Sequence, residues 1–305
     1  MRPNKNELNK ESDSIILTGA TGYLGGKLLT TLLRLNYDVV CPYRPAPERS
    51  LLKSDKIKWI EYSKETSANF FNEISTFPTK ISGIIHTATC YGRRKESEDL
   101  MNFANVEMPR QFLEFATLKK LDWFLNVDTC LPDSVNFYAK SKSKFKEIFV
   151  ASEFQGLKIN VPLQQFYGIN DNQLISYFVN AFKEDIPSLD CTEGLQERDF
   201  LYIDDLIEAF ELILQEVAEL EKEVNFHEFE IGSGNPLKLK DVILLIKDLC
   251  QSKTSINFGV LKARQGEPKL LSYPSKKIRS LGWLPKTNIQ NGVKKIIAEH
   301  TSYVR

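Results

Sequence analysis

The sequence has few of the residues from which proteins build metal centres and disulfide frameworks. Its 305 residues include three histidines and five cysteines, with no Cys-x-x-Cys pair and no His-Glu-x-x-His motif. The cysteines are scattered and odd in number, which is typical of free thiols in a reducing compartment. We therefore predict a cytoplasmic protein that holds no zinc or other metal ion.

An excess of charge of one sign and a long apolar run are also missing. Lysine and arginine together number 40, as do aspartate and glutamate, so the formal net charge is zero. The chain thus lacks the global positive field that favours nucleic acid or acidic membranes, and no apolar stretch reaches the length of a membrane span. Residues 1–13 are polar, without the apolar segment of a secretory signal, and are interpreted as a mobile leader. No nucleic-acid or membrane partner is predicted.

Short apolar runs alternate along the chain with segments that suit helices. The run SIILT at 14–18 precedes leucines at helical spacing between Leu24 and Leu35, and DVVCPY, IKWIEY, SGIIHTA and LDWFLNV follow in turn. Such alternation predicts an α/β fold, a doubly wound parallel sheet with right-handed crossovers. The alternation of apolar and helix-compatible segments is less regular after about residue 161, which predicts a smaller carboxyl-terminal substrate-binding lobe. The predicted cofactor-binding domain comprises 14–168 plus 200–234, and the lobe comprises 169–199 plus 235–305.

Three glycines stand between the first strand and the first helix. Gly19, Gly22 and Gly25 lie in TGATGYLG, where a side chain would hold a pyrophosphate away from the N–H groups and positive dipole of the helix N-terminus. A tight left-handed turn also uses glycines, but the strand–turn–helix context favours dinucleotide binding. The residues expected to contact the cofactor at this turn are Gly19, Thr21, Gly22, Tyr23, Leu24 and Gly25.

The end of the second strand indicates which dinucleotide is bound. NAD-binding proteins commonly place an acidic residue there for the ribose hydroxyls, whereas an arginine accommodates the extra phosphate of NADP. The chain reads VVCPYRP, with no acid and with Arg44 after the strand. An ordinary surface arginine is the alternative, and NADP(H) is the predicted cofactor.

A hydroxyl, a phenol and an ammonium group follow one another after the fifth apolar run. Thr129 ends that run, Tyr138 comes nine residues later and Lys142 four residues after that. Residues i and i+4 of a helix share a face, so the phenol and the ammonium can converge on one ligand. A nearby ammonium lowers the pKa of a tyrosine, which makes the phenol a usable proton donor or acceptor beside a carbonyl. A Tyr-x-x-x-Lys pair alone is usually a solvated helix face, but the glycine turn and Thr129 make the combination specific.

These motifs together resemble the extended short-chain dehydrogenase/reductases of the NAD-dependent epimerase/dehydratase family, from about Ser14 onward. Beside the motifs above, the matching segments are HTAT at 86–89, NV at 105–106, QQFYG at 164–168 and RDFLYIDD at 198–205. Within the family, GLQERDFLYIDDL, TATCYGR, FLNVDTCLP, EIGSG and FGVLKARQGE are similar to segments of the CDP-paratose and CDP-abequose synthases.

The resemblance implies a Rossmann fold, a homodimer and an NADPH-dependent 4-ketoreductase. Its substrate would be a CDP-4-keto-3,6-dideoxyhexose and its product a CDP-3,6-dideoxysugar for bacterial O-antigens. Tyr138 would protonate the developing alkoxide, Lys142 would tune Tyr138 and hold the nicotinamide ribose, and Thr129 would orient the carbonyl.

Further ligand contacts follow from the same resemblance. The additional cofactor-binding residues that it implies are His86, Thr87, Ala88, Asn105, Gln165 and Tyr167. The additional substrate-binding residues are Tyr91, Arg93, Arg198 and Arg264, with an ordinary loop aromatic as the equal alternative at Tyr91. A guanidinium suits diphosphate, although each of the last two is also compatible with an ordinary surface arginine. We expect no chemistry from His86, a packed strand-end side chain, and Asn105 is compatible with a structural role.

Rival activities differ in the groups that they require. A 4,6-dehydratase of this family places Asp-Glu directly after the active-site threonine, whereas Cys130 and Leu131 stand there, so the acid/base pair for dehydration is missing. An NAD-retaining epimerase, similar to CDP-tyvelose epimerase, stays open as the alternative. A non-enzymatic member of the family would commonly lose the tyrosine or the lysine, and this chain retains both.

Overall fold

The fold was analysed in a computed structural model of the chain. It describes residues 13–45, 51–76, 78–217, 219–220, 224–264, 266–272 and 274–302. The leader predicted at 1–13 lies outside the described residues except for Asp13. Within these ranges, no helix combines the length and the apolar character that a membrane span requires.

Strands and helices alternate in the first half of the chain, as predicted. The elements are β1 (Ser14–Thr18), α1 (Tyr23–Arg34), β2 (Asp38–Tyr43), β3 (Ile57–Glu61), α2 (Ser67–Ser75), β4 (Ile81–His86), α3 (Glu98–Asn102), α4 (Met108–Lys119), β5 (Trp123–Thr129), α5 (Phe137–Ala151) and β6 (Leu157–Leu163). A π-helical turn at Phe103–Glu107 joins α3 to α4, and a short 3₁₀ turn at Asp133–Val135 precedes α5.

Shorter strands, joined by helices of similar length to those before, make up the second half. They are β7 (Gln165–Tyr167), α6 (Leu174–Lys183), β8 (Ser188–Cys191), β9 (Glu197–Tyr202), α7 (Ile203–Glu216), β10 (Phe226–Glu228), β11 (Pro236–Lys238), α8 (Leu239–Cys250), β12 (Ser255–Phe258), β13 (Leu270–Leu271), α9 (Lys276–Ser280) and α10 (Ile289–Ser302).

A seven-stranded sheet in the order β10-β6-β5-β4-β1-β2-β3 forms the frame of the fold. β1 pairs in parallel with both β2 and β4, and β2–β3 and β4–β5 are parallel as well. Every residue of β1 and of β4 is buried, as expected for parallel strands that are covered on both faces. This is the Rossmann strand order, so the prediction of a doubly wound parallel sheet is confirmed.

The chain divides into two compact units. Of the described residues, the first unit takes those within 13–127, 144–159 and 224–227, and the second takes those within 128–143, 160–220 and 228–302. β5 and β6 therefore begin in the first unit and end in the second. The predicted limits of a cofactor domain and a substrate lobe concern which ligand each part binds, and they stay a prediction.

Aromatic side chains fill the core of the first unit. The Tyr62 ring lies 5.3 Å from that of Phe70 and 5.2 Å from that of Phe112, measured between centroids. Phe149 lies 5.2 Å from Phe124 in the same core. Tyr62 directly follows β3, and the other four residues come from α2, α4, α5 and β5. The core therefore fixes helices against the sheet through large apolar burial and edge-to-face ring contacts.

The second unit is built around β9. β7 and β13 pair with β9 in parallel and β11 pairs with it antiparallel, while β8 and β12 form a separate parallel pair. The Tyr167 ring lies 6.5 Å from that of Phe200 and 5.5 Å from that of Tyr202. Short strands with a small core of their own thus follow the regular sheet. This agrees with the less regular alternation of apolar segments in the second part of the sequence.

β4 and β5 pack closely where Gly83 meets Trp123, and a substitution at Gly83 tests this packing. A Cβ atom on Gly83 would lie 2.1 Å from the Trp123 ring, so we expect Gly83→Ala to lower the free energy of unfolding by about 1–3 kcal/mol. Gly26→Ala is the matched control, since its Cβ would meet nothing closer than 3.6 Å and alanine favours a helix by about 0.5–1 kcal/mol. Urea unfolding of both variants measures the difference. An unchanged midpoint in Gly83→Ala would contradict the packing described.

Candidate active site

The glycine turn prepares the N-terminus of α1 for an anion. Gly22 is the N-cap residue and has extended backbone angles, no side chain caps the helix there, and the first turn holds no acidic residue. The Gly22 N–H donates to the Gly19 carbonyl at 2.8 Å, which closes the turn. A helix N-terminus with this composition favours a phosphate group electrostatically.

Two of the glycines are required by close backbone approaches. Gly19 has a φ of +73°, and a Cβ there would lie 2.6 Å from Thr87 Oγ1 and 2.7 Å from the Ala88 nitrogen. A Cβ on Gly25 would lie 2.0 Å from the Gly19 carbonyl oxygen. The turn therefore packs directly on the residues after β4, and its surface toward a ligand is formed by backbone. This cradle fits the pyrophosphate of a dinucleotide.

Polar side chains tie the end of β1 to the end of β4. His86 Nδ1 lies 2.8 Å from Thr18 Oγ1, and the His86 side chain is fully buried. Thr87 Oγ1 donates to the Thr18 carbonyl at 2.7 Å, and the Ala88 N–H donates to Thr18 Oγ1 at 3.3 Å. His86 thus occupies the packed position expected of it, and these three residues hold the strand ends beneath the glycine turn. Their contact with a cofactor stays a prediction.

Asn105 fixes the segment that follows β4. It is fully buried in the π-helical turn; its Oδ1 accepts from the Cys90 N–H at 2.8 Å, and its Nδ2 donates to the Cys90 carbonyl at 2.9 Å. Beyond Cys90, the Arg93 guanidinium lies 4.7 Å from the centre of the Tyr91 ring. Asn105 therefore has the structural role considered for it, and it orients the segment that carries two predicted substrate residues.

A pocket beside the glycine turn was not predicted. It is lined by Ala20, Thr21, Gly22, Gly26, Leu29, Leu51, Leu52 and Trp59. Trp59 is held by its Nε1, which donates to the Leu52 carbonyl at 2.9 Å, and by an edge-to-face contact with Tyr43. Arg44 is exposed and directly follows β2. Leu51, Leu52 and Trp59 could not be predicted as its lining, because they follow the turn by about thirty residues or more and belong to no local motif.

Tyr138 and Lys142 lie one turn apart on α5, in the second unit. Asn136 precedes the helix, and its Oδ1 accepts from the Ala139 N–H at 2.8 Å, as an N-cap side chain does. Lys142 is 1% exposed. Burial lowers the pKa of Lys142, and the negative charge of Asp128 acts in the opposite direction. The helical spacing inferred from the sequence is therefore observed, with an ammonium that is buried rather than solvated.

Thr129 ends β5 with its hydroxyl oriented by backbone. Its Oγ1 accepts from the Leu131 N–H at 3.2 Å, which leaves the hydroxyl hydrogen as a donor for a ligand oxygen. The next side chain, the Cys130 thiol, donates to Gln164 Oε1 at 3.3 Å. Burial raises the pKa of Cys130 to about 12, so a neutral thiol occupies the position after the threonine.

Arg198 makes contacts within the second unit that its sequence position did not indicate. Its side chain is 8% exposed and forms an ion pair with Glu267. Its Nη1 also donates to the carbonyls of Glu197 at 2.7 Å and Pro268 at 3.0 Å. Arg264 is exposed, and its carbonyl accepts from the Glu267 N–H at 3.3 Å. Arg198 thus holds the turn that carries Arg264, and the contact of either with diphosphate stays a prediction.

Tyr167 and Gln165 lie on β7, which pairs with β9. Tyr167 is 1% exposed, and its hydroxyl donates to the Asn288 carbonyl at 3.5 Å. A Cβ on Gly292 would lie 2.1 Å from the Tyr167 hydroxyl oxygen. The Tyr167 side chain therefore packs in the core beside α10, and any contact of this residue with a cofactor would come from its backbone.

Comparisons with known proteins find relatives of the chain in sequence and in fold. The model of the family described as "NAD dependent epimerase/dehydratase family" matches residues 15–232. The chain is similar to a CDP-abequose synthase of Salmonella muenchen, with 29% identity over 96% of this chain and 98% of that one. It is also similar to a dTDP-4-dehydro-6-deoxyglucose reductase of Escherichia coli, with 24% identity over 95% and 98%. A solved UDP-glucose 4-epimerase of Thermotoga maritima shares the fold, with a TM-score of 0.80 and 17% identity over 96% and 100%.

The structural role of Arg198 can be separated from a binding role by its effect on stability. Arg198→Met leaves the Glu267 carboxylate and two carbonyls without their donor, so we expect the free energy of unfolding to fall by about 1–3 kcal/mol. Arg264→Met removes an exposed guanidinium and is expected to change it by about 0.5 kcal/mol or less. Urea unfolding without ligands compares the two variants. Equal stability of both variants would contradict the structural role assigned to the ion pair and hydrogen bonds of Arg198.

Proposed function

Because the chain belongs to the NAD dependent epimerase/dehydratase family, we propose that it is an NADPH-dependent 4-ketoreductase of a nucleotide-activated sugar. The substrate that we propose is a CDP-4-keto-3,6-dideoxyhexose, reduced to a CDP-3,6-dideoxysugar such as CDP-paratose or CDP-abequose. The observation that carries the proposal is the pair of Tyr138 and buried Lys142 on α5, with a neutral Cys130 directly after Thr129. The end-to-end similarity to a CDP-abequose synthase supports the choice of substrate.

Residues of the first unit fit the cofactor that this reaction needs. The glycine cradle at the N-terminus of α1 would hold the pyrophosphate, and Arg44 would face the additional phosphate of NADP. When bound, the reduced nicotinamide supplies a hydride to the keto carbon. The segment VVCPYRP at 39–45 has no acidic residue and carries Arg44, which favours NADP over NAD.

Residues of the second unit would handle the proton and the oxygen of the ketone. Tyr138 would donate its phenolic proton to the oxygen as the carbon accepts hydride, so one hydride and one proton yield the alcohol. The Lys142 ammonium would lower the pKa of Tyr138, and the Thr129 hydroxyl would donate a hydrogen bond to the same oxygen. Cys130 supplies neither an acid nor a base near neutral pH, which argues against dehydration.

The remaining parts of the proposal concern its setting. All five cysteines are free thiols in the structure, which supports a reducing, cytoplasmic location. The resemblance to CDP-dideoxysugar synthases supports a homodimer and a role in lipopolysaccharide O-antigen synthesis.

Turnover of the proposed substrate tests the reaction and the role of Tyr138 together. Loss of NADPH absorbance with CDP-4-keto-3,6-dideoxyglucose is the measurement, and we expect Tyr138→Phe to lower kcat by about 10²-fold or more while cofactor affinity is retained. Tyr177→Phe is the matched control, since Tyr177 is 56% exposed on α6. Full activity of Tyr138→Phe would overturn the mechanism. No oxidation by the unaltered enzyme, with NAD found bound to it, would instead indicate the epimerase.

Selection of the cofactor by Arg44 is tested by removing its charge. If Arg44 pairs with the phosphate, Arg44→Ser loses a charge-assisted hydrogen bond of about 1.5–3 kcal/mol, which raises the KM for NADPH by about 10- to 100-fold. The KM for NADH is expected to stay unchanged. Arg34→Ser is the control, because Arg34 is also exposed in the first unit, at the end of α1. An equal rise for both cofactors, or none, would contradict the assignment.

A further inference from the structure

A buried amide lies where β5 and β6 end, and no ligand contact was predicted for it. Gln164 directly follows β6, which is a neighbour of β5 in the seven-stranded sheet. The Cys130 N–H donates to the Leu163 carbonyl at 3.3 Å, so Gln164 and the residue after β5 lie side by side in the second unit. Doubly wound folds bind their ligands outside the carboxyl ends of the strands. Gln164 therefore lies where a ligand is expected.

The two ends of this amide differ in their partners. The side chain is 5% exposed, and its Oε1 accepts from the Cys130 thiol at 3.3 Å. Burial raises the pKa of Cys130 to about 12, so the thiol stays protonated and faces the acceptor end of the amide. Nε2, which carries two N–H donors, has no hydrogen-bond partner in the part of the chain that the structure describes. A buried donor of this kind is costly unless a ligand supplies an acceptor.

The stem of the Gln164 side chain is held against backbone. A Cβ on Gly232 would lie 2.8 Å from Gln164 Cγ and 2.7 Å from Asp199 Oδ2. The Gln164 N–H donates to the Ile231 carbonyl at 3.3 Å. The side chain is therefore confined between Gly232 and Cys130, next to the Asp199 carboxylate.

The Asp199 carboxylate does not supply the missing acceptor. Its Oδ1 accepts from the Ser233 N–H at 2.8 Å and from the Ser233 hydroxyl at 2.6 Å. Its Oδ2 accepts from the Gly234 N–H at 2.8 Å and from the Ser272 hydroxyl at 3.2 Å. A carboxylate has about four acceptor positions, and four donors occupy those of Asp199. The Gln164 donor therefore needs an acceptor from outside this network.

We propose that Gln164 is a substrate-binding residue, whose Nε2 donates a hydrogen bond to an oxygen of the sugar in the nucleotide-activated substrate. This inference rests on the proposed ketone reduction, which places the keto oxygen of the sugar at Thr129, the residue before Cys130. An amide that is held by Cys130 then meets the sugar rather than the nucleoside diphosphate. Keto and hydroxyl oxygens both accept from an amide N–H.

Replacing Gln164 by methionine removes the donor and keeps the length of the side chain. A hydrogen bond of this kind accounts for about a tenfold difference in affinity. The affinity for the CDP-sugar should therefore fall about tenfold, whereas the affinity for CDP, which lacks the sugar, should stay unchanged. A glutamine with a structural role alone would lower the stability of the protein and leave the ratio of the two affinities as it was.

The experiment measures dissociation constants by calorimetry in the whole protein, without NADPH, so that no turnover occurs. CDP-4-keto-3,6-dideoxyglucose and CDP are each titrated into the unaltered protein, Gln164→Met and Gln215→Met. Gln215→Met is the matched control, because Gln215 is exposed on α7 of the same unit. We expect the ratio of the two dissociation constants to change about tenfold in Gln164→Met alone.

The outcomes separate this proposal from the proposed function. An unchanged ratio in Gln164→Met overturns the role of Gln164, and so does a loss of affinity for NADPH, titrated separately, in place of the loss for the sugar. If Gln164→Met fails to fold, Gln164→Asn takes its place, since it withdraws the same amide from the ligand by one methylene group. A changed ratio in a protein that reduces no ketone would refute the proposed function and leave the sugar contact established. If neither CDP ligand binds to the unaltered protein, the proposed substrate is refuted, and UDP-glucose with UDP gives the ratio that tests Gln164.

Discussion

Polar side chains on buried strands need partners, and in this protein several of these partners lie on another strand or in a loop. Thr18 and His86 pair at the ends of β1 and β4, and Asp128 and Asn160 pair across β5 and β6. In β9, the fully buried Asp199 accepts from the Ser233 and Gly234 N–H groups at 2.8 Å each. Each of these groups is costly to bury alone and acceptable only when it has a partner. The same pairing that makes burial possible also fixes the side chains in place, as a preorganised site requires.

The two units use this constraint for different purposes. In the first, pairing at the strand ends holds backbone: the glycine turn lies so close to Thr87 and Ala88 that no Cβ fits on Gly19. In the second, pairing holds polar side chains, because the Asp128 carboxylate accepts from Asn160 and from the Thr129 N–H. The Lys142 side chain of the same unit is buried as well. A backbone cradle is suited to an anionic group, whose oxygens accept from N–H donors. A buried ammonium is suited to tuning a neighbouring phenol, since its field is screened less by water than at a surface.

The sequence allowed the fold and the local motifs to be predicted because both depend on residues close together in the chain. Apolar runs and helical spacing indicated the strands and α1, and Tyr138 and Lys142 lie on one helix as their spacing suggested. The partners of buried polar groups could not be predicted from the sequence, because they are distant in the chain. Asn160 is 32 residues from Asp128, and Glu267 is 69 residues from Arg198. Arg198 therefore looked like a residue that faces phosphate, although its guanidinium contacts Glu267 and two carbonyls. Tyr167 lies in a segment that matches the family, but a sequence match does not predict that its side chain packs beside α10.

The surroundings of Thr129 fit the proposed reduction better than an elimination. On one side, the Asp128 carboxylate accepts hydrogen bonds from the Thr129 N–H and from Asn160; on the other, the Cys130 thiol is kept neutral by burial and donates to Gln164. The proposed ketone reduction needs a proton donor at the oxygen, and Tyr138, one turn from the buried Lys142, would be that donor. Elimination of water needs an additional acid and base beside the sugar carbons, and a thiol whose pKa is about 12 provides neither near neutral pH. The neutral thiol beside Thr129 and the Tyr138–Lys142 pair on α5, rather than the shared Rossmann frame, therefore support the proposal of a reductase.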